Sequence, residues 1–201
     1  SHHSKRLINI FWSIYVMFHP QCTADGLPVV EGTVLLKTVV GIDDDLENGY
    51  AVRVMRRENS LILEYIRFLE SRKKVHNAVF GGVLTYALLR AQYVSNVAKE
   101  VMNQAENQGN YGQHRRKRRG LPRVSRENLE ALISLASQRK EEIFGTVNLI
   151  ERENAGLFNT LAIMAPDPIR GFTLGAGVVY EALRRQAASD RLQAELGIET
   201  S

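Results

Sequence analysis

Two stretches of this chain carry apolar residues spaced alternately four and three apart, which commits it to packing long helices side by side. The first runs Phe80, Leu84, Ala87, Ala91, Val94, Ala98, Val101 and Ala105. The second runs Leu129, Ile133, Ala136, Lys140, Ile143, Val147 and Ile150, with only Lys140 intruding. Such spacing places one stripe of side chains along one helix face. The alanines in the first seam allow close helix approach. At 1.5 Å per residue, a helix over 78–105 would be roughly 40 Å long. Two matching seams joined by one connection predict an antiparallel helical pair. The expected fold is therefore mostly α: a helical bundle built on two long heptad-like helices.

The remaining segments fit around that pair. Ser60–Lys74 carries Ile62, Tyr65, Ile66 and Leu69 on one face. Ser125 is placed to cap the second long helix, and Asn154-Ala155-Gly156 to end it. Leu157–Met164 reads as a short apolar helix stopped by Pro166 and Pro168. Gly171–Gly197 reads as a last helix with Val178, Ala182, Leu183, Leu192 and Leu196. Its Gly171 and Gly175 have the spacing of closely packed helices. Val29–Val40 is rich in valine and threonine and predicts a short hairpin or single strand. No internal repeat is read in the chain. The expected organisation is an N-terminal arm over 1–42 and a helical bundle over 43–201, interrupted by a basic loop at 106–124.

Leu7–Phe18 is apolar but, at 12 residues, too short to span a bilayer as a helix. It reads as a buried element or assembly arm. The alternative is a secretory signal, since Lys5 and Arg6 precede it and Cys22-Thr23-Ala24 offers a small-residue cleavage site. With one cysteine no intrachain disulfide is possible. That suits a reducing, intracellular or virion-like setting, with secretion as the alternative.

Charge supplies the functional expectation. The net charge is +4, but the positive character is local. Residues 115–126 hold Arg115, Arg116, Lys117, Arg118, Arg119, Arg123 and Arg126 with no acid among them. Without these seven, acids outnumber bases. A local cationic patch points to a polyanionic partner better than a high overall pI does. Arginine forks grip phosphate with two hydrogen bonds. Tyr111 could stack on an unpaired base, and His114 opens the run. The expected function is non-catalytic: a coat-, nucleoprotein- or ribonucleoprotein-subunit-like protein that self-assembles and holds a nucleic-acid backbone without base specificity. A homo-oligomer or larger assembly is expected. Arg-x-Lys-Arg-Arg before Gly120 also resembles a dibasic processing site. A second reading is thus a secreted precursor cut after Arg119 into a two-chain helical toxin or effector.

Enzymatic and metal chemistry find little support. Asp43, Asp45 and Glu47 begin like a calcium loop, but Asn48 stands where glycine is needed and Val54 where the bidentate carboxylate belongs. Asp43, Asp44 and Glu47 also fit a loose magnesium–diphosphate pattern, which keeps a magnesium-dependent helical enzyme as a third option. A helix-start charge cluster explains them better. His2, His3, His19, His76, His114 and Cys22 lack metal-ligand spacing. No cofactor, metal or catalytic residue is expected.

Overall fold

The computed structural model describes residues 22–31, 46, 49–108 and 120–197. Within them the chain is helical: α1 Tyr50–Ser71, α2 Ala78–Gln108, α3 Arg126–Gln138, α4 Lys140–Glu153, α5 Ala155–Met164 and α6 Ile169–Glu195. The mostly helical bundle is as expected. Leu7–Phe18, Asp43, Asp44, Asp45 and Glu47 lie outside the described residues, as does the expected β segment beyond Glu31. Just before that segment the chain makes one antiparallel bridge, Cys22 to Pro28, and Val29–Glu31, its described part, is not a strand.

The long helices α2 and α6 form the centre. They approach so closely that a β-carbon on Gly81 would collide with the carbonyl oxygen of Phe172. One on Gly175 would collide with that of Ala78, and one on Gly171 with that of His76. The glycine spacing read from the sequence is indeed a close-packing face. Phe80 meets Phe172 at a ring separation of 5.4 Å. Around this contact Leu84, Leu88, Leu89, Val179 and Leu183 are fully buried. Ile62, Ile66 and Leu69 of α1 bury the face their spacing predicted, with Tyr65 packed at its edge.

The first seam departs from expectation halfway along α2. Leu84 is buried and Phe80, Ala87 and Ala91 are half-buried, but Val94, Ala98, Val101 and Ala105 are exposed. The inward line continues instead through Gln92 and Asn96, whose side chains bond each other at 2.9 Å. Polar residues can take an inward face when their hydrogen bonds are met there. The second long helix is two helices. Ser125 does cap α3, accepting from the Asn128 amide at 3.2 Å, but the helix stops at Arg139, whose backbone leaves the helical region (φ −141°, ψ 79°). A new helix starts beyond it with Glu141 and Glu142 in its first turn, where acids favour a helix N-terminus. The seam survives the break: Leu129, Ile143 and Ile150 are all buried.

Contrary to the sequence reading, the fold is internally duplicated. α1 is broken at Asn59 (φ −145°, ψ 60°), and α4 is broken from α5 at Asn154 (φ −141°, ψ 62°). Each asparagine ends an Arg-Glu-Asn triplet, 57–59 and 152–154. Each break is followed by a long central helix carrying Tyr-x-x-Leu-Arg-x-Gln, at 86–92 and 180–186. Each copy is preceded by an arm reading Gly-Leu-Pro-x-Val, at 26–30 and 120–124. The glycine contacts of Gly81 and Gly175 are reciprocal, which is the pattern of a two-fold axis between α2 and α6.

Candidate polyanion interface and its anchoring arms

Each arm is gripped by side-chain amides, and the grip crosses between copies. Asn154 accepts from the Val30 N–H at 2.9 Å and donates to the Pro28 carbonyl at 2.8 Å. Asn59 accepts from the Val124 N–H at 2.8 Å and donates to the Pro122 carbonyl at 3.1 Å. The first arm thus docks on the second copy's asparagine, and the second arm on the first copy's. The next amide is taken by a glutamine of the arm's own copy: Glu31 N–H by Gln92 and Ser125 N–H by Gln186, both at 3.0 Å. Those glutamines are themselves oriented alike, donating to Asn96 and Asp190 at 2.9 Å. Leu27, Val30, Leu121 and Val124 fill the apolar floor. Burying each such side chain contributes roughly 1.5–3 kcal/mol.

Gly26 turns the first arm with φ +87°, a conformation that favours glycine. The Thr23 hydroxyl and carbonyl close that turn on the Leu27 and Gly26 amides. Arg184 reaches Asp25 at 3.0 Å and Lys99 reaches Glu31 at 3.1 Å, so an acid near each end of this arm meets a cation on the body.

Of the residues expected to hold a polyanion, Tyr111, His114, Arg115, Arg116, Lys117, Arg118 and Arg119 lie outside the described residues. Their flanks are described: the run is bounded by Gln108 at the end of α2 and by Gly120 at the head of the second arm. Arg123 donates to the carbonyls of Glu58 and Arg57 at 3.2 and 3.3 Å, capping the broken end in α1. A cation at such a helix end is favourable on its own account, so Arg123 has a role in the fold. Arg126 is the exposed first residue of α3.

The copies differ behind their tyrosines. In the first, Tyr86 donates to Glu58 at 2.9 Å and accepts from Asn59 at 3.0 Å, while Arg90 Nε reaches both Glu58 oxygens. Burial, above all, pushes the Tyr86 phenol well above its ordinary value. In the second, Glu181 stands where the first copy has Ala87. It draws Arg184 away: Arg184 bonds Glu181 through Nε and NH2, at 3.0 and 2.7 Å. Arg185 and Thr146 complete the shell of Glu181. Burial opposes the charge on Glu181, but the Arg184 and Arg185 guanidiniums outweigh it and hold the carboxyl below its usual range. Among the described residues Glu153 Oε2 is buried without a hydrogen-bond partner, and the buried Tyr180 hydroxyl makes no well-formed hydrogen bond, with only the Asn154 side chain acting on it. Burial pushes the Tyr180 phenol up to about 12. Beside Glu181, between α4 and α6, opens a groove of about 410 Å³ lined in part by Glu142, Thr146, Arg152 and Arg185.

Reading for catalytic motifs missed Asn59, Asn154, Gln92 and Gln186. The signal that would have found them is the repeated Gly-Leu-Pro-x-Val. Among the described residues no group of three His, Cys, Asp or Glu side chains could hold a metal ion. Among them, too, no helix is long and apolar enough to cross a membrane. No family model, curated protein or solved structure matches the chain.

Proposed function

We propose that the protein is a non-catalytic helical assembly component that holds a nucleic-acid backbone through Arg115, Arg116, Lys117, Arg118 and Arg119. The supporting observation is the duplication. Both arms dock by the same bonds, yet the stretches leading into them differ in charge. Residues 19–25 contain no Lys or Arg and one acid, whereas residues 113–119 contain five Lys/Arg. The first copy builds its anchored arm without such cations, so folding does not require them in the second. A charge run that folding does not require is explained by a partner. The run leads directly into the Gly120–Ser125 arm, which is pinned to the body. Phosphate contacts of this kind carry no base specificity.

The test is a salt titration of binding to single-stranded RNA and duplex DNA, comparing the wild type with a variant in which residues 115–119 are all Gln. With about five phosphates engaged, log K against log salt should fall with slope near −3.5 for single strands or −4.5 for duplex. That slope should collapse in the variant. No binding at low salt, or an unchanged slope in the variant, rejects the proposal.

One observation favours the processed precursor as a second reading. A cut after Arg119 would leave a new chain beginning at Gly120, at the head of an anchored arm, with the two products still holding each other's arms. The intact mass of the protein from its source separates the readings: a fragment ending at Arg119 supports cleavage, and one uncut species dismisses it.

A further inference from the structure

The two copies also differ at the turns that lead into their long helices. α1 ends in the kind of helix stop that is usually built on glycine: the Val75 N–H reaches back to the Leu69 carbonyl at 3.0 Å, and Lys74 before it has a left-handed backbone, φ +56°. Glycine is at ease in that conformation and lysine is not. Arg72 and Lys73 precede it, and all three are exposed with no ion pair among the described residues. In the register of the repeat the second copy has Pro166, Asp167 and Pro168 at these positions, so its turn closes without cations. Three adjacent cations, one of them in a conformation that resists it, are explained by something outside the fold.

The two turns lie side by side. Asn77 Nδ2 donates to the Pro168 carbonyl at 3.3 Å, and Gly171 packs against the backbone of His76. Bulky apolar side chains stand out among the cations: Phe68 is 45% exposed, Ile169 55% and Ile163, in the last turn of α5, 83%. Lys73 lies over the Phe68 ring at 6.0 Å, so charge and apolar surface meet. Residues 67–76 and 163–170 together hold five Lys/Arg against two acids, Glu70 and Asp167. We propose that this end of the bundle docks on an anionic membrane surface. A nucleic-acid backbone would use the cations but has no use for exposed branched aliphatic side chains. A lipid surface takes both: Arg72, Lys73 and Lys74 meet headgroup phosphates and carboxylates, and Ile163 and Ile169 enter the boundary between headgroups and acyl chains. The proposal goes beyond the reading above and uses none of residues 115–119.

The test is cosedimentation of the full chain with phosphatidylcholine vesicles, with and without phosphatidylserine. A basic run is itself drawn to anionic vesicles, so every measurement is made both in the wild type and in the chain with Gln throughout 115–119. Binding should require phosphatidylserine and persist in that chain. Changing Arg72, Lys73 and Lys74 together to Gln should weaken it on the order of 100-fold. Ile163→Ser with Ile169→Ser should remove the part of the binding that survives high salt, where charge is screened. Lys74→Gly should weaken binding about fivefold while raising the urea midpoint, so that loss cannot come from unfolding. No binding to phosphatidylserine vesicles in the chain with Gln at 115–119, or binding indifferent to the turn or to the isoleucines, overturns the proposal. So does an RNA affinity that falls in the turn variant while vesicle binding is absent, which reassigns the turn to nucleic acid.

Discussion

The first copy closes its buried polar network and the second leaves its own open. Around Tyr86, Glu58 and Arg90 the donors and acceptors meet; around Tyr180 and Glu153 they do not, because Arg184 has turned to Glu181 and Asp25. One substitution in the pattern, Glu181 for the alanine at position 87, redirects the arginine. What it brings is an ion pair to Asp25 on the first arm. What it costs, among the described residues, is a buried carboxylate oxygen without a partner, a loss of about 1–3 kcal/mol, and a buried hydroxyl left with only the Asn154 side chain beside it. The second copy has thus given up internal satisfaction for a tie to its partner's arm.

The backbone contact at the centre gives the largest test of this equivalence. Gly81→Ala and Gly175→Ala should each destabilise the protein by about 3 kcal/mol, since the added carbon meets a carbonyl rather than a flexible side chain. Urea denaturation should show similar losses, and a loss confined to one of them would break the two-fold relation. The tyrosines test the difference between the copies. Tyr86→Phe removes two hydrogen bonds and should cost about 1.5 kcal/mol. Tyr180→Phe should be neutral within about 0.5 kcal/mol or stabilising, because it removes a buried hydroxyl that makes no well-formed hydrogen bond among the described residues. Equal costs would show that the second network is closed after all. The smallest effect is in acid. Glu181 has a folded value below its ordinary 4.5. Its contribution is fully present above that pH and is lost as pH falls through the folded value. Stability measured from pH 6 to pH 3 should fall less steeply in Glu181→Gln than in the wild type.

The helices were legible in the sequence because apolar period and breakers agree over most of their length: Ile62, Ile66 and Leu69 on α1, the cap at Ser125, the stop before Pro166. The break at Arg139 was hidden because the seam keeps its phase across it, so periodicity alone reads a continuous helix. The inward turn of Gln92 and Asn96 was hidden for a related reason. Apolar spacing followed Val94 and Val101 outward, while the buried line continued on residues that count as polar. The duplication escaped because the copies share short polar words and little of the apolar sequence between them. Arg-Glu-Asn and Gly-Leu-Pro acquire meaning only when the hydrogen bonds pair them across the molecule. For the candidate interface, charge was legible at once at 115–119, whereas the part of Arg123 in capping α1 depended on a helix break no spacing announced.

The crossed arms also bear on how the chain comes apart. Because Asn59 and Asn154 each clasp the strand belonging to the opposite copy, opening either half releases contacts in both. The bonds that fix each arm are thus divided between the two halves. Amide protons of α1 and α6, though in different copies, should therefore exchange with one shared free energy, that of global unfolding, rather than in two separate steps.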